Sequence, residues 1–255
     1  LDQIQRQIRQ EATARKALEL DPNLADAHYA MAQFKRNNGE WAEAEREYKR
    51  AAELNPNLSK VYSGYSNYLH YMNRKDEAVA AIRRALELNP LSIVINVNAI
   101  NTYYLARRYD EAISAAKKAF ELEPNNSVGH SRLGNVYEMK GMYAEALAEY
   151  REVLRLSGAR GEGPNFARVY AKMGERAKAE EILQKFEASE NNVQGRDLAL
   201  LYDALGRRDE AFTELERDYA ENGSNLAGIN ANPLYDNLRS DSRFADLLRR
   251  MNLPQ

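Results

Sequence analysis

Residues 127–158 read SVGHSRLGNVYEMKGMYAEALAEYREVLRLSG and divide into two amphipathic halves at Gly141. In the first half Leu133 and Tyr137 keep the spacing of one helix face, and in the second half Ala146 and Tyr150 do the same. The stretch therefore predicts two helices joined by a tight turn at the glycine. A helical hairpin of this length cannot bury both of its faces alone, so it needs neighbours of the same kind.

The rest of the chain supplies such neighbours at a fixed period. Four prolines recur every 34 residues: Pro22, Pro56, Pro90 and Pro124. A small residue on the second helix recurs with the same period at Ala44, Ala78, Ala112 and Ala146. Turn residues lie between the two helices of each unit at Asn38-Gly39, Asn73, Arg107-Arg108 and Gly141. The period predicts an array of helical hairpins rather than a single globular core.

These residues resemble the tetratricopeptide repeat. The family pattern of a bulky residue, Leu-Gly and Tyr on the first helix, then Ala and an aromatic on the second, matches the following positions: His130, Leu133-Gly134, Tyr137, Ala146 and Tyr150. The resemblance implies an all-α fold, a right-handed solenoid in which helical hairpins form a superhelix. It also implies that one side of the first helix of every repeat lines a concave surface.

The array predicts four parts of the chain. Residues 1–24 form the second helix of a repeat whose first helix is not in the sequence, and residues 25–160 form four regular repeats. The turn glycines then come one or two residues early, so residues 161–225 form two shortened repeats. Residues 226–255 leave the pattern and form a C-terminal cap. That cap has a helix N-cap at Ser240-Asp241 and one apolar stripe, made of Phe244, Leu247, Leu248 and Met251.

Composition excludes several classes of function. The 255 residues carry a net charge of −2, which argues against a nucleic-acid-binding face. With no cysteine, the chain has no disulfide and no thiolate site. No apolar run is long enough to span a membrane. The chain opens at Leu1 without an initiator Met or signal peptide, so we expect a cytoplasmic fragment of a longer protein.

No catalytic or cofactor motif emerges either. The glycine-rich stretch at residues 158–163 follows a helix and lacks Gly-Lys-Ser/Thr, so it does not fit a phosphate loop. His28 and His130 are three periods apart, which predicts the same packing position in two repeats rather than a metal site. Tyr62 and Asn96 occupy that position in the repeats between them. We therefore expect no enzyme activity, no metal and no cofactor.

One pattern predicts a binding site. The residue after the small position of each first helix is polar: Gln33, Asn67, Asn101, Asn135 and Arg168. Asparagine carries both a donor and an acceptor, so a row of asparagines can hold the backbone of an extended peptide. Further candidates on the same face lie one helical turn away: Tyr29, Arg36, Lys60, His70, Asn98, Tyr104 and Arg132.

The resemblance implies a non-catalytic scaffold that binds a protein or peptide. Residues 232–254 also resemble the C-terminal ends of bacterial tetratricopeptide regions that follow winged-helix, kinase or cyclase domains, so a part of a larger regulator is the main hypothesis. One alternative is the repeat arm of an O-linked N-acetylglucosamine transferase. Another is a homo-oligomer formed through the N-terminal helix, whose apolar face carries Leu1, Ile4 and Ile8.

Overall fold

Six helical hairpins follow one another along the chain, with one further helix before them and one after them. A computed structural model describes residues 2–159, 161–188 and 194–254, and for residues 2–8 and 224–225 it describes the backbone alone. Within these ranges the ordered elements are all helices and there is no strand. Leu1, Ile4 and Ile8, on which the homo-oligomer hypothesis depends, lie outside the described side chains.

Each hairpin consists of a first helix, A, and a second helix, B. The A helices are α2 (Ala25–Asn37), α4 (Ser59–Tyr71), α6 (Ile93–Leu105), α8 (Ser127–Met139), α10 (Pro164–Lys172) and α12 (Gly195–Ala204). The B helices are α3 (Trp41–Leu54), α5 (Lys75–Leu88), α7 (Tyr109–Leu122), α9 (Tyr143–Ser157), α11 (Arg176–Glu187) and α13 (Arg208–Asn222). The flanking helices are α1 (Asp2–Leu20) and α14 (Ser242–Arg250), and two 3₁₀ segments, Gly223–Asn230 and Pro233–Tyr235, precede α14.

The hairpins stack into a solenoid. Each A helix packs on its own B helix and, among α2, α4, α6 and α8, on the A helix of the next hairpin as well. Neighbouring A helices thus form one continuous surface, which we call the inner face. The predicted all-α solenoid is confirmed.

The turn between helices A and B has the same backbone conformation in all six hairpins. One residue of each turn has a positive φ, and four of the six are glycines: Gly39, Asn73, Arg107, Gly141, Gly174 and Gly206. Only glycine adopts this left-handed conformation without a steric cost, which explains the glycines. The turns predicted from the sequence at residues 39, 73, 107 and 141 are confirmed.

A change in helix length follows the regular repeats. Gly158 ends α9 with a φ of 67°, and Pro164 begins α10, as its fixed φ favours in the first turn of a helix. The next two A helices, α10 and α12, have 9 and 10 residues, whereas each of the four preceding A helices has 13. The inner face is therefore narrower at this end of the solenoid.

The C-terminal arm (residues 223–254) folds back onto the solenoid. Asp241 caps α14 as predicted, since its side chain accepts from the Arg243 amide. The apolar residues that the arm buries include the following: Leu226, Ala227, Ile229, Ala231, Leu234, Tyr235, Leu238, Phe244, Leu247, Leu248, Met251 and Leu253. Burial of apolar surface contributes about 25 cal/mol of stabilising free energy per Å². Burial of this many apolar side chains therefore strongly favours docking of the arm onto the solenoid.

Polar contacts show where the arm lies. Asn230 Nδ2 donates to the Tyr71 carbonyl at 2.7 Å, and Tyr104 Oη donates to Asn232 Oδ1 at 2.7 Å. The Arg107 guanidinium forms a bidentate ion pair with Asp236, at 2.6 and 2.8 Å. Tyr71, Tyr104 and Arg107 lie at the C-terminal ends of A helices or in the following turn. The arm therefore runs along that edge of the inner face.

The arm also joins the two ends of the solenoid. It contacts α13 in the last hairpin, and in the first hairpin Trp41 Nε1 donates to the Met251 carbonyl at 3.0 Å. The Trp41 ring packs edge-on against Tyr71, with 5.9 Å between the ring centroids. The sequence predicts a cap on the last repeat, whereas the arm reaches the first repeat as well.

We expect the turn residue Asn73 to tolerate glycine but not alanine. Its φ of 55° costs alanine about 1 kcal/mol, because the Cβ then approaches the following carbonyl oxygen. Asn73→Ala should lower the free energy of unfolding by about that amount, and Asn73→Gly should preserve it, both measured by urea denaturation. Equal loss in the two variants would show that the asparagine side chain, not the backbone, matters.

The sole tryptophan, Trp41, should report whether the arm is docked. Leu248 is buried on α14, and an aspartate there would carry an unpaired charge into an apolar contact at a cost of several kcal/mol. We expect Leu248→Asp to shift Trp41 fluorescence to longer wavelength while most of the helical circular dichroism remains. Arg249→Gln, on the exposed side of the same helix, is the control. Unchanged fluorescence in a folded Leu248→Asp variant would contradict this position of the arm.

Candidate functional site

In each of the first four hairpins, one position of helix A anchors the hairpin to the turn before it. His28 Nε2 lies 2.9 Å from the Pro22 carbonyl, and His130 Nε2 lies 3.0 Å from the Pro124 carbonyl. The intervening repeats make the same contact with other groups, Tyr62 Oη to Pro56 and Asn96 Nδ2 to Pro90. The predicted packing role of the two histidines is confirmed. Within the described residues no group of three or more His, Asp or Glu side chains could hold a metal ion.

The inner face contains a cavity of about 570 Å³, which we call the groove cavity. Its walls come from the three successive A helices α2, α4 and α6 and the turns that precede α4 and α6. Six predicted site residues line it: Tyr29, Gln33, Arg36, Lys60, Asn67 and Asn98. The structure therefore brings half of the predicted residues together in one place.

The side-chain amides of the inner face differ in whether they form hydrogen bonds within the protein. Asn67 and Asn101 are half-buried, and neither side chain forms a hydrogen bond with any described residue. Gln33 Nε2 donates to Tyr29 Oη at 2.7 Å, and Asn98 Nδ2 donates to Ser63 Oγ at 3.0 Å. Asn67 therefore presents an unused donor and acceptor in the groove cavity. Asn101 does so on the inner face outside that cavity.

A second cavity, of about 310 Å³, lies further along the inner face. Its walls include Asn135 of α8 and Arg168 of α10 together with three residues of the C-terminal arm: Asn232, Leu234 and Tyr235. We call it the arm cavity. The predicted row of polar residues is thus divided, with Gln33 and Asn67 in one cavity and Asn135 and Arg168 in the other.

Comparisons with known proteins identify the repeats. Residues 13–46, 59–90, 101–126 and 127–159 match family models described as tetratricopeptide repeat. The chain contains tetratricopeptide repeats. A comparison with curated protein sequences found no match. In the described part of the chain, no helix combines the length and apolar character needed to cross a membrane.

Solved structures of tetratricopeptide proteins have the same fold. The Cut9–Hcn1 hetero-tetramer structure matches with a TM-score of 0.66 and 16% identity, over 96% of this chain and 46% of that one. PilF of Pseudomonas aeruginosa matches with a TM-score of 0.56 and 19% identity, over 88% and 89%. YrrB, described as having an unusual peptide-binding site, matches with a TM-score of 0.50 and 20% identity, over 80% and 97%. At these identities the likeness shows the fold alone.

Arg168 of α10, in the fifth hairpin, is engaged inside the protein. It is 4% exposed, and its Nε and Nη2 atoms each lie 2.8 Å from a carboxylate oxygen of Glu138. Lys172 Nζ lies 2.8 Å from the same carboxylate, and Tyr150 Oη donates to it at 3.1 Å. The ion pair joins α8 to α10 across the change in repeat length. Although Arg168 lines the arm cavity, its guanidinium is used mainly to hold these two helices together.

Electrostatics explain how Glu138 remains charged there. Burial alone would raise the pKa of Glu138, but the Arg168 guanidinium and the Lys172 ammonium outweigh it and lower the pKa to about 2. The Tyr150 hydroxyl oxygen also lies 2.7 Å from Asn135 Oδ1, so its one proton is shared between Glu138 and Asn135. Asn135 therefore has one of its two polar groups already engaged.

Two other predicted residues are buried. Tyr104 is 3% exposed and donates to the C-terminal arm, so it holds the arm rather than an open groove. His70 is 1% exposed, and neither ring nitrogen has a hydrogen-bond partner among the described residues. Burial lowers the pKa of His70 to about 3, and Lys75 adds to that shift. His70 is therefore neutral and packed inside the solenoid.

The sequence did not identify several residues of the two cavities. The groove cavity also includes Ser63, Gly64, Ser92 and Ile95, which lie in the N-terminal halves of A helices or the turn before them. The period could have identified Ser63 and Gly64, because they lie 34 residues from the predicted site residues Tyr29 and Asn98. The arm residues of the second cavity have no such signal, because they lie outside the repeat.

We expect Glu138→Gln to destabilise the protein by about 3–5 kcal/mol, because it leaves the buried Arg168 guanidinium without its counter-charge. Since the pKa of Glu138 is lowered from an ordinary value of about 4.3, its contribution is present above that pH and is lost as the pH falls towards 2. Urea denaturation at several pH values measures both effects. A variant with the same acid dependence as the parent would contradict this assignment.

Proposed function

We propose that this chain is a non-catalytic scaffold that binds an extended segment of a protein partner in the groove cavity. The observation that carries the proposal is a cavity walled by three successive tetratricopeptide A helices, with the Asn67 amide unengaged at its side. A polar group that faces a cavity and is not used inside the protein is available to a ligand at little cost. An extended peptide offers a matching donor and acceptor at every residue.

The position of the C-terminal arm supports this location. The arm covers the edge of the inner face at the C-terminal ends of the A helices, near Tyr71 and Tyr104. The groove cavity lies towards the N-terminal halves of α4 and α6, where Lys60, Ser63 and Ile95 are found. A partner segment can therefore occupy the cavity while the arm stays docked. YrrB, a protein of the same fold, has a peptide-binding site, which is consistent with such a use.

The wider role that we propose is the sensory or assembly part of a larger regulator. This rests on the resemblance of residues 232–254 to the ends of bacterial tetratricopeptide regions. Formation of a homo-oligomer through the N-terminal helix stays a prediction, since the side chains of residues 2–8 are not described.

Asparagine substitution tests the proposal. A random peptide library selected on the whole chain supplies a binding peptide, and calorimetry measures its affinity for the parent and for the Asn67→Ala, Asn101→Ala double variant. Each lost hydrogen bond to a buried backbone group costs about 1–3 kcal/mol, so the double variant should bind at least about tenfold more weakly. Thermal unfolding checks that the variant is folded.

The matched control is Asn125→Ala, which changes an exposed asparagine in the turn before α8. It should leave the affinity of the peptide unchanged. If the double variant binds the peptide as tightly as the parent does, the site is not on the inner face. If no peptide is selected at all, the proposed function is overturned.

A further inference from the structure

Two arginines of the inner face have no carboxylate partner in the part of the chain that the structure describes. Arginines on the B helices and turns form ion pairs, as Arg74 does with Glu45 and Arg83 with Glu111. Arg36 of α2 and Arg132 of α8 are half-buried, and within the described residues neither lies within ion-pair distance of a carboxylate. A desolvated charge is costly unless an opposite charge accompanies it, so this arrangement points to an anionic ligand.

Arg36 lines the groove cavity directly. Its Nε and Nη2 atoms donate to Asn37 Oδ1 at 3.2 and 2.9 Å, and its guanidinium carbon lies 5.9 Å from the centroid of the Tyr71 ring. Burial alone would lower the pKa of Arg36, but the hydroxyls of Tyr48, Tyr71 and Tyr29 outweigh it and raise the pKa. Burial raises the pKa of the Tyr29 and Tyr48 hydroxyls, so both phenols are neutral near pH 7. An amide oxygen and aromatic side chains therefore hold the guanidinium in place without neutralising it.

Arg132 lies next to the wall of the groove cavity but does not line the cavity itself. Its Nη1 donates to the Val97 carbonyl and, at 3.1 Å, to Asn98 Oδ1. Asn98 lines the groove cavity and binds Ser63 with its other polar group. Burial lowers the pKa of Arg132 to about 10, as expected for a cation with no nearby anion. Arg132 thus borders the groove cavity through Asn98.

The walls of the groove cavity contain no carboxylate among the described residues. The two charged residues that line it, Arg36 and Lys60, are both basic. Lys60 forms an ion pair with Asp26, and both of those side chains are about half exposed, so the solvent screens them. The local charge is therefore positive although the chain as a whole carries −2.

We propose that the segment bound in the groove cavity is acidic, with one side-chain carboxylate at Arg36 and a second at Arg132. This inference rests on the proposed function of that cavity. The two arginines belong to the first and fourth hairpins, so a single C-terminal carboxylate cannot serve both of them. Two internal acidic side chains on one extended segment can.

Helix geometry sets the spacing of those two carboxylates. Neighbouring packed helices lie about 8–10 Å apart, and Arg132 reaches back to α6, two helices from α2. The carboxylates should therefore be separated by roughly 16–20 Å, which an extended chain covers in about five or six residues. The ligand class is thus a peptide with two Asp or Glu residues at about that spacing.

The test uses the whole chain and peptides selected on it from a random library, synthesised with amidated C-termini. We expect the binders to carry two acidic residues at the stated spacing. The twin of each binder, with Gln for Glu and Asn for Asp, should bind at least about tenfold more weakly, because it loses charge-assisted hydrogen bonds. Arg36→Gln and Arg132→Gln should each lower the affinity for the acidic peptide. Each should leave the affinity for the neutral twin nearly unchanged.

Arg83→Gln is the matched control, since it removes one positive charge on α5, away from the cavity. It should not change the affinity of the acidic peptide, and thermal unfolding checks that every variant is folded. Arg36→Lys keeps the charge and should retain part of the affinity.

Three results would overturn the inference. They are equal binding of the acidic peptide and its twin, a requirement for a free C-terminus, and displacement of the peptide by a single-stranded oligonucleotide at equal concentration. A further result would separate this inference from the proposed function. If the selected peptides bind the Asn67→Ala, Asn101→Ala variant more weakly but bind the arginine variants as tightly as the parent, the inference of an acidic ligand is wrong and the proposed function stands.

Discussion

The docking of the C-terminal arm onto the inner face determines what the solenoid can offer a partner. Without it, the A helices would present one long surface from the first hairpin to the sixth. The arm covers one edge of that surface and contacts the first hairpin at Trp41 and the last at α13. The remaining surface is divided into a groove cavity walled by α2, α4 and α6 and an arm cavity that the arm itself helps to build. Buried apolar side chains hold the arm in place. Both cavities are therefore features of the folded protein.

The repeating part of the fold could be predicted from the sequence because its determinants are local and recur. In the four regular repeats the positive φ of the turns, the small alanine of each second helix and the prolines all recur every 34 residues. The contact with the proline carbonyl is a good example. His28, Tyr62 and Asn96 look unrelated, yet each supplies one donor at the same place in its repeat. The shared position, not the residue type, was the informative signal.

The close approach of the two helices in a hairpin follows the same logic. A Cβ atom added to Gly134 would lie 2.4 Å from the Tyr150 ring, so the fourth repeat admits no side chain there. Ala32 and Ser66 take the equivalent position and are fully buried. This constraint acts between residues about 16 apart in sequence, so it is visible in a single repeat.

The contacts of the arm could not be predicted, because they join residues far apart in sequence and have no period. Tyr104 and Asn232 are 128 residues apart, and Trp41 and Met251 are 210 apart. The sequence showed the apolar stripe of α14 correctly but gave no indication of its partner. For the same reason it placed Tyr104 on an open groove, whereas the arm covers it.

The ion pair of Glu138 with Arg168 shows why the polarity of a residue does not by itself identify a binding site in a repeat protein. A polar residue at an inner-face position can face solvent, a ligand or another repeat. Arg168 follows the change in repeat length, where α10 is shorter than the helices before it, and its guanidinium binds the preceding repeat through Glu138. Replacing such a buried pair with apolar residues is often neutral or stabilising, so its main effect here is to fix how α10 sits against α8. In contrast, Arg36 and Arg132 have no carboxylate partner among the described residues. Whether an arginine is neutralised within the protein therefore depends on the three-dimensional arrangement of the repeats, which the polarity of the sequence does not show.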